Sequence, residues 1–331
     1  MQVIIAKNSG FCRGVQRAVD TAMSVPAENT YVLGEIIHNS HVVSDIKSRG
    51  ITTVERLEDI PDNATVIFRS HGVPSAYYDE CARRSIKVID CTCNFVRNTQ
   101  KIVSEQSANG KFIVIVGEAT HPEVVGLLGW CSGPSIVVKD PDYDFSAIRD
   151  KDVCVVAQTT FSVEKFEKII ENIKNLCEKT VAVFKTICYT TYDRQLEAEK
   201  LAQRCDAMLV IGGLNSSNTN KLYDVCSAHC KNVFRLSGPE DLDFDKIKNY
   251  KSVGIVSGAS TPMAQNREVL LKMEEKSTEV NATSSMADVV AKIDSESKFK
   301  KGQIVTATIS EATDDGLQIL LPLSKKEIPL S

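Results

Sequence analysis

Three cysteines, Cys12, Cys93 and Cys188, stand where an apolar run gives way to a helix-like segment: "VIIAKNSGFCRGVQRAVDTA", "KVIDCTCNFVRNTQKIVSEQ" and "VAVFKTICYTTYDRQLEAEKLA". A thiol at a helix N-terminus feels the positive end of the macrodipole and ionises more readily, and the thiolate is the form that binds metal. Three thiolates cannot close a structural zinc site, which takes four protein ligands. They suit a centre with one open coordination position, such as a 4Fe-4S cluster on three cysteines, whose fourth iron can act as a Lewis acid and deliver electrons. Cys81, Cys131, Cys154, Cys177, Cys205, Cys226 and Cys230 lie in helical or mid-strand stretches and read as ordinary buried thiols. Cys91 is a weaker candidate, because a C-x-C pair alone carries little information.

Other loops carry groups suited to an anion. His38, His41, His71 and His121 are four of the five histidines, and all fall just after apolar, strand-like runs. His41, His71 and His121 read as donors to a ligand, and His38 as a residue that caps its loop. No Lys/Arg cluster and no G-x-x-x-x-G-K-[ST] loop is present, so a bound anion must be held by histidines, by the hydroxyls and amides of "NSSN" and "GAS", and by helix N-termini. These features fit a small, strongly anionic group such as diphosphate. Glu123, two residues after His121, is the carboxylate closest in sequence to these histidines and the natural proton donor. As a residue of a helix's first turn it could also merely complement the dipole.

Placing these groups together requires a repeated architecture. The chain reads as nine strand–loop–helix units in three matching sets. In each set the first unit ends in a cysteine. The second ends in a polar cluster, as in "YVLGEIIHNSHVV", "FIVIVGEATHPEVV" and "MLVIGGLNSSNTNKL", and the third in small polar residues, as in "TVIFRSHGVP", "VCVVAQTTFS" and "VGIVSGASTP". The connectors "TTVERLEDIPDNA", "IVVKDPDYDFSAIRDKD" and "VFRLSGPEDLDFDKIKNY" each read as a short strand, an acidic turn and a brief helix. Alternating strands and helices imply α/β lobes with parallel sheets and right-handed crossovers, which bind ligands outside the carboxyl ends of their strands. Three such lobes about a pseudo-threefold axis form a trefoil that aims the cysteines and polar loops at one central cavity.

Composition agrees with a large folded chain. At 331 residues, 43% hydrophobic and 25% charged, it can bury a core spread over two or three lobes. No run has the length of a membrane span or the flanks of a signal peptide, so the cytoplasm is the expected address. Eleven cysteines in a reducing compartment argue for free thiols or metal ligands over disulfides. A net charge of −4 gives no reason to expect nucleic acid as the main partner.

In order, "GFCRGV", "HNSHVV", "SHGV", "DCTC", "HPEV", "QTT", "TICY", "NSSNTNKL" and "SGAS" resemble the motifs of the LytB (IspH) family, the 4-hydroxy-3-methylbut-2-enyl diphosphate reductases of the non-mevalonate isoprenoid pathway. The resemblance spans residues 1–275. It implies a reductase body of three lobes at about 12–92, 93–187 and 188–275, with residues 1–11 joining the third. It also implies one 4Fe-4S cluster on Cys12, Cys93 and Cys188, and a substrate diphosphate held by His41, His71, His121, Ser216, Ser217, Asn218 and Ser260. Thr159 would lie near the substrate hydroxyl, with Glu123 as proton source acting through Thr159, His121 or the diphosphate. The implied reaction is reductive loss of that hydroxyl to give isopentenyl and dimethylallyl diphosphate. A ferredoxin or flavodoxin is the expected electron donor, since the chain has no G-x-G-x-x-G fingerprint. The chain departs from the family's usual "DATCP" by carrying Cys91 and Asn94, and its "GEATHPE" has an unusual lead-in.

Residues 276–298 are polar and read as a linker, and 299–331 alternate like two or three strands with a "DDG" hairpin signal. The latter resemble the opening of a ribosomal-protein-type OB-fold repeat, about half of a five-stranded barrel. RNA binding is not expected of such a fragment by itself. The alternative activity is that of another open-iron 4Fe-4S enzyme, of the quinolinate-synthase type, which turnover of the hydroxymethylbutenyl diphosphate would distinguish.

Overall fold

The computed structural model describes residues 1–276 and, beyond them, three short strands. The first lobe is built from α1 (Arg13–Ser24), β2 (Thr30–Leu33), α2 (Ser40–Ser48), β3 (Thr52–Val54), β4 (Thr65–Phe68), α3 (Ala76–Arg83) and β5 (Lys87–Asp90). The second follows with α4 (Asn94–Ala108), β6 (Phe112–Val116), α5 (Pro122–Leu128), β7 (Ser135–Val138), β8 (Val153–Ala157), α6 (Val163–Leu176) and β9 (Val181–Val183). The third has α7 (Tyr189–Ala202), β10 (Ala207–Ile211), α8 (Ser217–His229), β11 (Val233–Leu236), α9 (Phe244–Ile247), β12 (Ser252–Ser257) and α10 (263–276).

Each lobe holds one four-stranded parallel sheet, and the order is the same three times: β3-β2-β4-β5, β7-β6-β8-β9 and β11-β10-β12-β1, where β1 is Gln2–Ile5. The first strand of the chain thus completes the third sheet, paired with β12 from Gln2↔Ser252 to Ile5↔Ile255.

The edge strand that precedes each cysteine belongs to one lobe and the helix that follows belongs to the next. β5 pairs with β4, yet α4 packs Val103 against Ile113 and Ile115 of β6. β9 pairs with β8, while α7 packs Ala198, Leu201 and Ala202 against Met208 and Val210 of β10. β1 lies in the third sheet, and α1 packs Val15, Ala18 and Ala22 against Val32 and Ile67 in the first. Each of these three cysteines is therefore a lobe junction.

Continuous apolar runs mark strands covered on both faces. β8 ("VCVVA") and β10 ("AMLVI") are buried along their whole lengths. Strand alternation then splits the second lobe's core in two. Ile113 and Ile115 face α4 and α5, while Val114 and Val116 face Phe166, Ile169, Ile170 and Ile173 of α6. Those four α6 residues sit at helical spacing and each contributes about 1.5–3 kcal/mol by burial, which outweighs the few tenths that isoleucine costs in a helix.

By its contacts the chain divides into two units, Met1–Lys272 and Met273–Ser331. In the second, β13 (Thr308–Thr313), β14 (Gly316–Leu320) and β15 (Glu327–Leu330) form an antiparallel sheet with a bulge between Ile309 and Glu311. Thr313 pairs with Gly316 at the expected "DDG" hairpin. Apart from residue 276, the segment read as a linker lies outside the described residues. Among the described residues no helix is long and apolar enough to cross a membrane.

Candidate active site

The three junction cysteines are placed by equivalent hydrogen bonds. Each is the N-cap of its helix, with extended backbone at ψ 162°, 141° and 135° for Cys12, Cys93 and Cys188. Each donates its amide N–H to a carbonyl two residues past the third-unit strand of the preceding lobe: Cys12 to Ala259 at 3.2 Å, Cys93 to Ser70 at 3.0 Å and Cys188 to Thr159 at 3.0 Å. The sulfurs make no capping hydrogen bond of their own. By contrast, the caps of the second-unit helices commit their side chains: Asn39, His121 and Ser216 accept from Val42, Glu123 and Thr219.

All three thiols line one cavity of about 730 Å³, counting its open mouth. Gly14 keeps the space between two of them clear. A Cβ there would stand 2.8 Å from the Cys93 Sγ and 4.0 Å from that of Cys12. Burial pushes the Cys93 thiol up, the amides of Phe95 and Val96 pull it down, and the thiols of Cys12 and Cys188 push it up again. Mutually repelling thiolates are what a shared cation centre relieves. Cys91, in contrast, is buried in the first lobe's core beside Ala18 and Ile67, away from the cavity lining.

Polar groups without partners collect elsewhere on the cavity wall. His38 Nε2, His71 Nδ1 and both amide atoms of Asn218 are buried and lack hydrogen bonds, although their residues line the cavity. Each such atom costs about 1–3 kcal/mol unless a ligand satisfies it. The ring nitrogens of His38, His71 and His121 that could act as ligands lie within 4.8 Å of one another. A metal ion needs their lone pairs, whereas an anion needs their protons. His121 decides in favour of the anion: its Nδ1 accepts the Glu123 amide N–H at 3.1 Å, so Nε2 carries the hydrogen and is a donor. Burial, the neighbouring imidazoles and Arg69 hold His71 well below the usual histidine range and push His121 down to about 3. Ser216, Ser217 and Ser260 add hydroxyls. Ser260 Oγ donates to Ser216 Oγ at 3.3 Å, and Ser217 Oγ accepts from Gln158 and Thr160 at 3.1 Å.

Glu123 is 1% exposed and joins the two sides. Its carboxylate accepts the Thr159 N–H at 2.6 Å and the Thr159 hydroxyl at 2.8 Å. Thr159 in turn gives its carbonyl to the Cys188 amide, so a continuous chain runs from Cys188 through Thr159 and Glu123 to His121. Burial raises the Glu123 carboxyl to about 7 against the two Thr159 hydrogen bonds, which pull it down. A carboxyl poised there can hold a proton at neutral pH and release it to a basic oxygen.

A model of the LytB protein family matches residues 3–274. The chain belongs to the LytB family. It is similar to the 4-hydroxy-3-methylbut-2-enyl diphosphate reductase of a Thermoanaerobacter species, at 39% identity over 82% of this chain and 96% of the relative. The enzyme of the same name from Clostridium acetobutylicum is 35% identical over 95% of this chain and 50% of its own length. Among solved structures, one described as the terminal enzyme of the non-mevalonate pathway shares 37% identity with a TM-score of 0.62, covering 83% of this chain and 100% of its own. The Plasmodium falciparum reductase shares 26% with a TM-score of 0.75, over 81% and 86%. The OB-fold resemblance of residues 299–331 is not borne out: the family match ends at residue 274 and the relatives' names carry no such domain.

In this LytB protein the cavity gathers Cys12, Cys93, Cys188, His71, His121, Glu123, Thr159, Ser216, Ser217, Asn218 and Ser260. It does not gather His41. That side chain is 53% exposed in the first turn of α2 and faces Glu240 at 3.6 Å. His38 takes its place, and the cap of α2 is Asn39. The reason is local: a residue just before an N-cap can point back towards the strand end, whereas one in the first turn lies on the helix rim. His38 is also oriented from outside, with Nδ1 3.1 Å from the Glu35 carboxylate. Gly14, Phe95 and Thr160 line the cavity too. Gly14, inside "GFCRGV", and Thr160, inside "QTT", left a sequence signal, whereas Phe95 did not.

Proposed function

We propose that this LytB protein reduces 4-hydroxy-3-methylbut-2-enyl diphosphate to isopentenyl and dimethylallyl diphosphate, the last step of the non-mevalonate pathway, with a ferredoxin or flavodoxin as donor. The observation that carries this reading is one cavity lined by three thiols, a wall of polar donors and a linking Glu123–Thr159 pair. The donor set fits the family's iron–sulfur requirement: three cysteines, no fourth thiol on the lining, and a glycine where a side chain would strike a sulfur. A 4Fe-4S cluster on Cys12, Cys93 and Cys188 would supply single electrons and an open Lewis-acid position.

The chain's own residues do the rest. His121 Nε2–H, His38, His71, Asn218 and the three serines hold the diphosphate, whose charge favours the imidazolium form of His71 that burial opposes. Held there, the substrate extends its hydroxyl towards Thr159. Glu123 then delivers its proton through the Thr159 hydroxyl, so oxygen leaves as water after two electrons have entered. A second proton on either of two allyl carbons gives the two products.

The test is anaerobic: iron-loaded protein, hydroxymethylbutenyl diphosphate and a chemical reductant, with C5 diphosphates as the readout. Iron-loaded protein that forms none defeats the proposal. Two substitutions probe the wall and the cleft. Alanine at His38 should raise KM at least about tenfold, the 1.4 kcal/mol of one lost charged hydrogen bond, while alanine at His41 leaves it within about twofold. Equal effects would deny that the cavity distinguishes the two. Gly14→Ala should lower iron per chain without altering the far-ultraviolet circular dichroism, and undiminished iron would show that the cleft between the sulfurs is not needed.

A further inference from the structure

We infer that Arg194 is the fixed counter-charge of the three-cysteine centre, a positioning residue that biases it towards its reduced, more negative state. The inference rests on the cluster reading above. Arg194 lies on α7, six residues past the Cys188 N-cap, and is 5% exposed. Its guanidinium binds backbone carbonyls instead of a carboxylate: Nη1 donates to Ser257 at 3.0 Å and Nη2 to Gly10 at 2.8 Å. Its Nε is buried without a partner.

These contacts tie together two of the cysteine loops. Gly10 lies two residues before Cys12, and its own amide donates to Ser257 Oγ at 3.1 Å. The helix that Cys188 caps thus grips the loop that carries Cys12. The anionic groups acting on Arg194 are the Cys12 thiol, Glu197 and the Cys188 thiol, while burial opposes its charge. Glu197 makes no hydrogen bond to the guanidinium and acts on it only through its charge, its carboxylate accepting the amides of Lys7 at 2.7 Å and Asn8 at 2.9 Å. A buried guanidinium without a bonded anion is unfavourable, and thiolates joined to a cluster add to Glu197 the negative charge that offsets it. Net charge and hydrogen bonding around the sulfurs set the potential of such a centre, so a nearby fixed cation makes each added electron easier to hold.

The experiment is a reductive titration of the holoprotein with dithionite, followed by electron paramagnetic resonance, for wild type, Arg194→Met and Arg194→Lys, with iron and sulfide measured on each. Methionine removes the charge and should shift the one-electron reduction equilibrium about tenfold towards the oxidised state, about 59 mV. Lysine keeps the charge with a single donor head and should stay within about threefold of wild type. An unchanged equilibrium in the methionine variant overturns the assignment. If that variant holds no iron, the lysine variant decides: iron-loaded with a near-wild-type potential upholds the counter-charge. A lysine variant shifted as far as methionine, or equally iron-free, makes Arg194 a mechanical clamp only. Wild-type protein that takes up no cluster would instead defeat the underlying functional reading.

Discussion

Serine at any one of Cys12, Cys93 or Cys188 is expected to abolish both retention of an iron–sulfur centre and turnover, while serine at Cys91, Cys154 or Cys205 leaves an iron-loaded, active enzyme. The contrast follows from placement. The first three are N-caps whose sulfurs line a common cavity. The other three are buried in separate cores, and burial raises each of their thiols, Cys154 to about 11. Serine keeps the size at a ligand position but offers a harder, far less acidic donor, and three attachment points leave none to spare. Iron and sulfide content with a resonance spectrum measures the first effect, and reductant-driven turnover the second. A fully active Cys188→Ser protein would end the three-ligand account.

Glutamine at Glu123 should slow turnover at least about a hundredfold without disturbing iron content, because a positioned general acid contributes about 10²–10⁴ in rate. The cysteines are anchored by backbone bonds, and the amide oxygen of glutamine can still accept from Thr159, whose carbonyl holds Cys188, so the centre should be retained. The pH dependence of the wild type carries a second signature. The carboxyl is raised to about 7, so its acid form predominates below that pH and disappears as the pH rises through it. Turnover with excess reductant should therefore fall about tenfold per pH unit above 7, and the residual rate of Glu123→Gln should lack that step. A variant near the wild-type rate would leave Glu123 a helix-dipole residue and move the proton to His121, Thr159 or the substrate's own diphosphate.

Much of the architecture is legible because it depends on short-range pattern. Short apolar, β-branched runs such as "VCVVA", closed by polar or Gly-rich punctuation, favour strands covered on both faces, and the polar residues that end them then fall on one side of a parallel sheet. The cysteines were findable for the same reason. What sequence does not supply is direction at the scale of one helical turn. His38 and His41 flank the Asn39 cap, and with the cap unassigned both read as loop histidines. An Asn before an apolar run is a cap signal that would have separated them. Gly14 and Arg194 were less accessible, since their meaning lies in contacts with Cys93 and Gly10, far away along the chain.

Pairing β1 with β12 sets a timetable for synthesis. Gln2 and Ser252 are register partners, so at roughly 5–20 residues per second the ribosome needs on the order of 12–50 s to make the second after the first. Through that interval the first two lobes can fold while the "QVII" strand stays unpaired, and the Cys12 loop lacks the Ala259 carbonyl that will anchor it. The nascent chain thus presents an edge-seeking strand and an unanchored Cys12 loop until the third lobe has emerged. Joining the β1 segment to the far end of that lobe by circular permutation should remove the interval in which the strand stands unpaired.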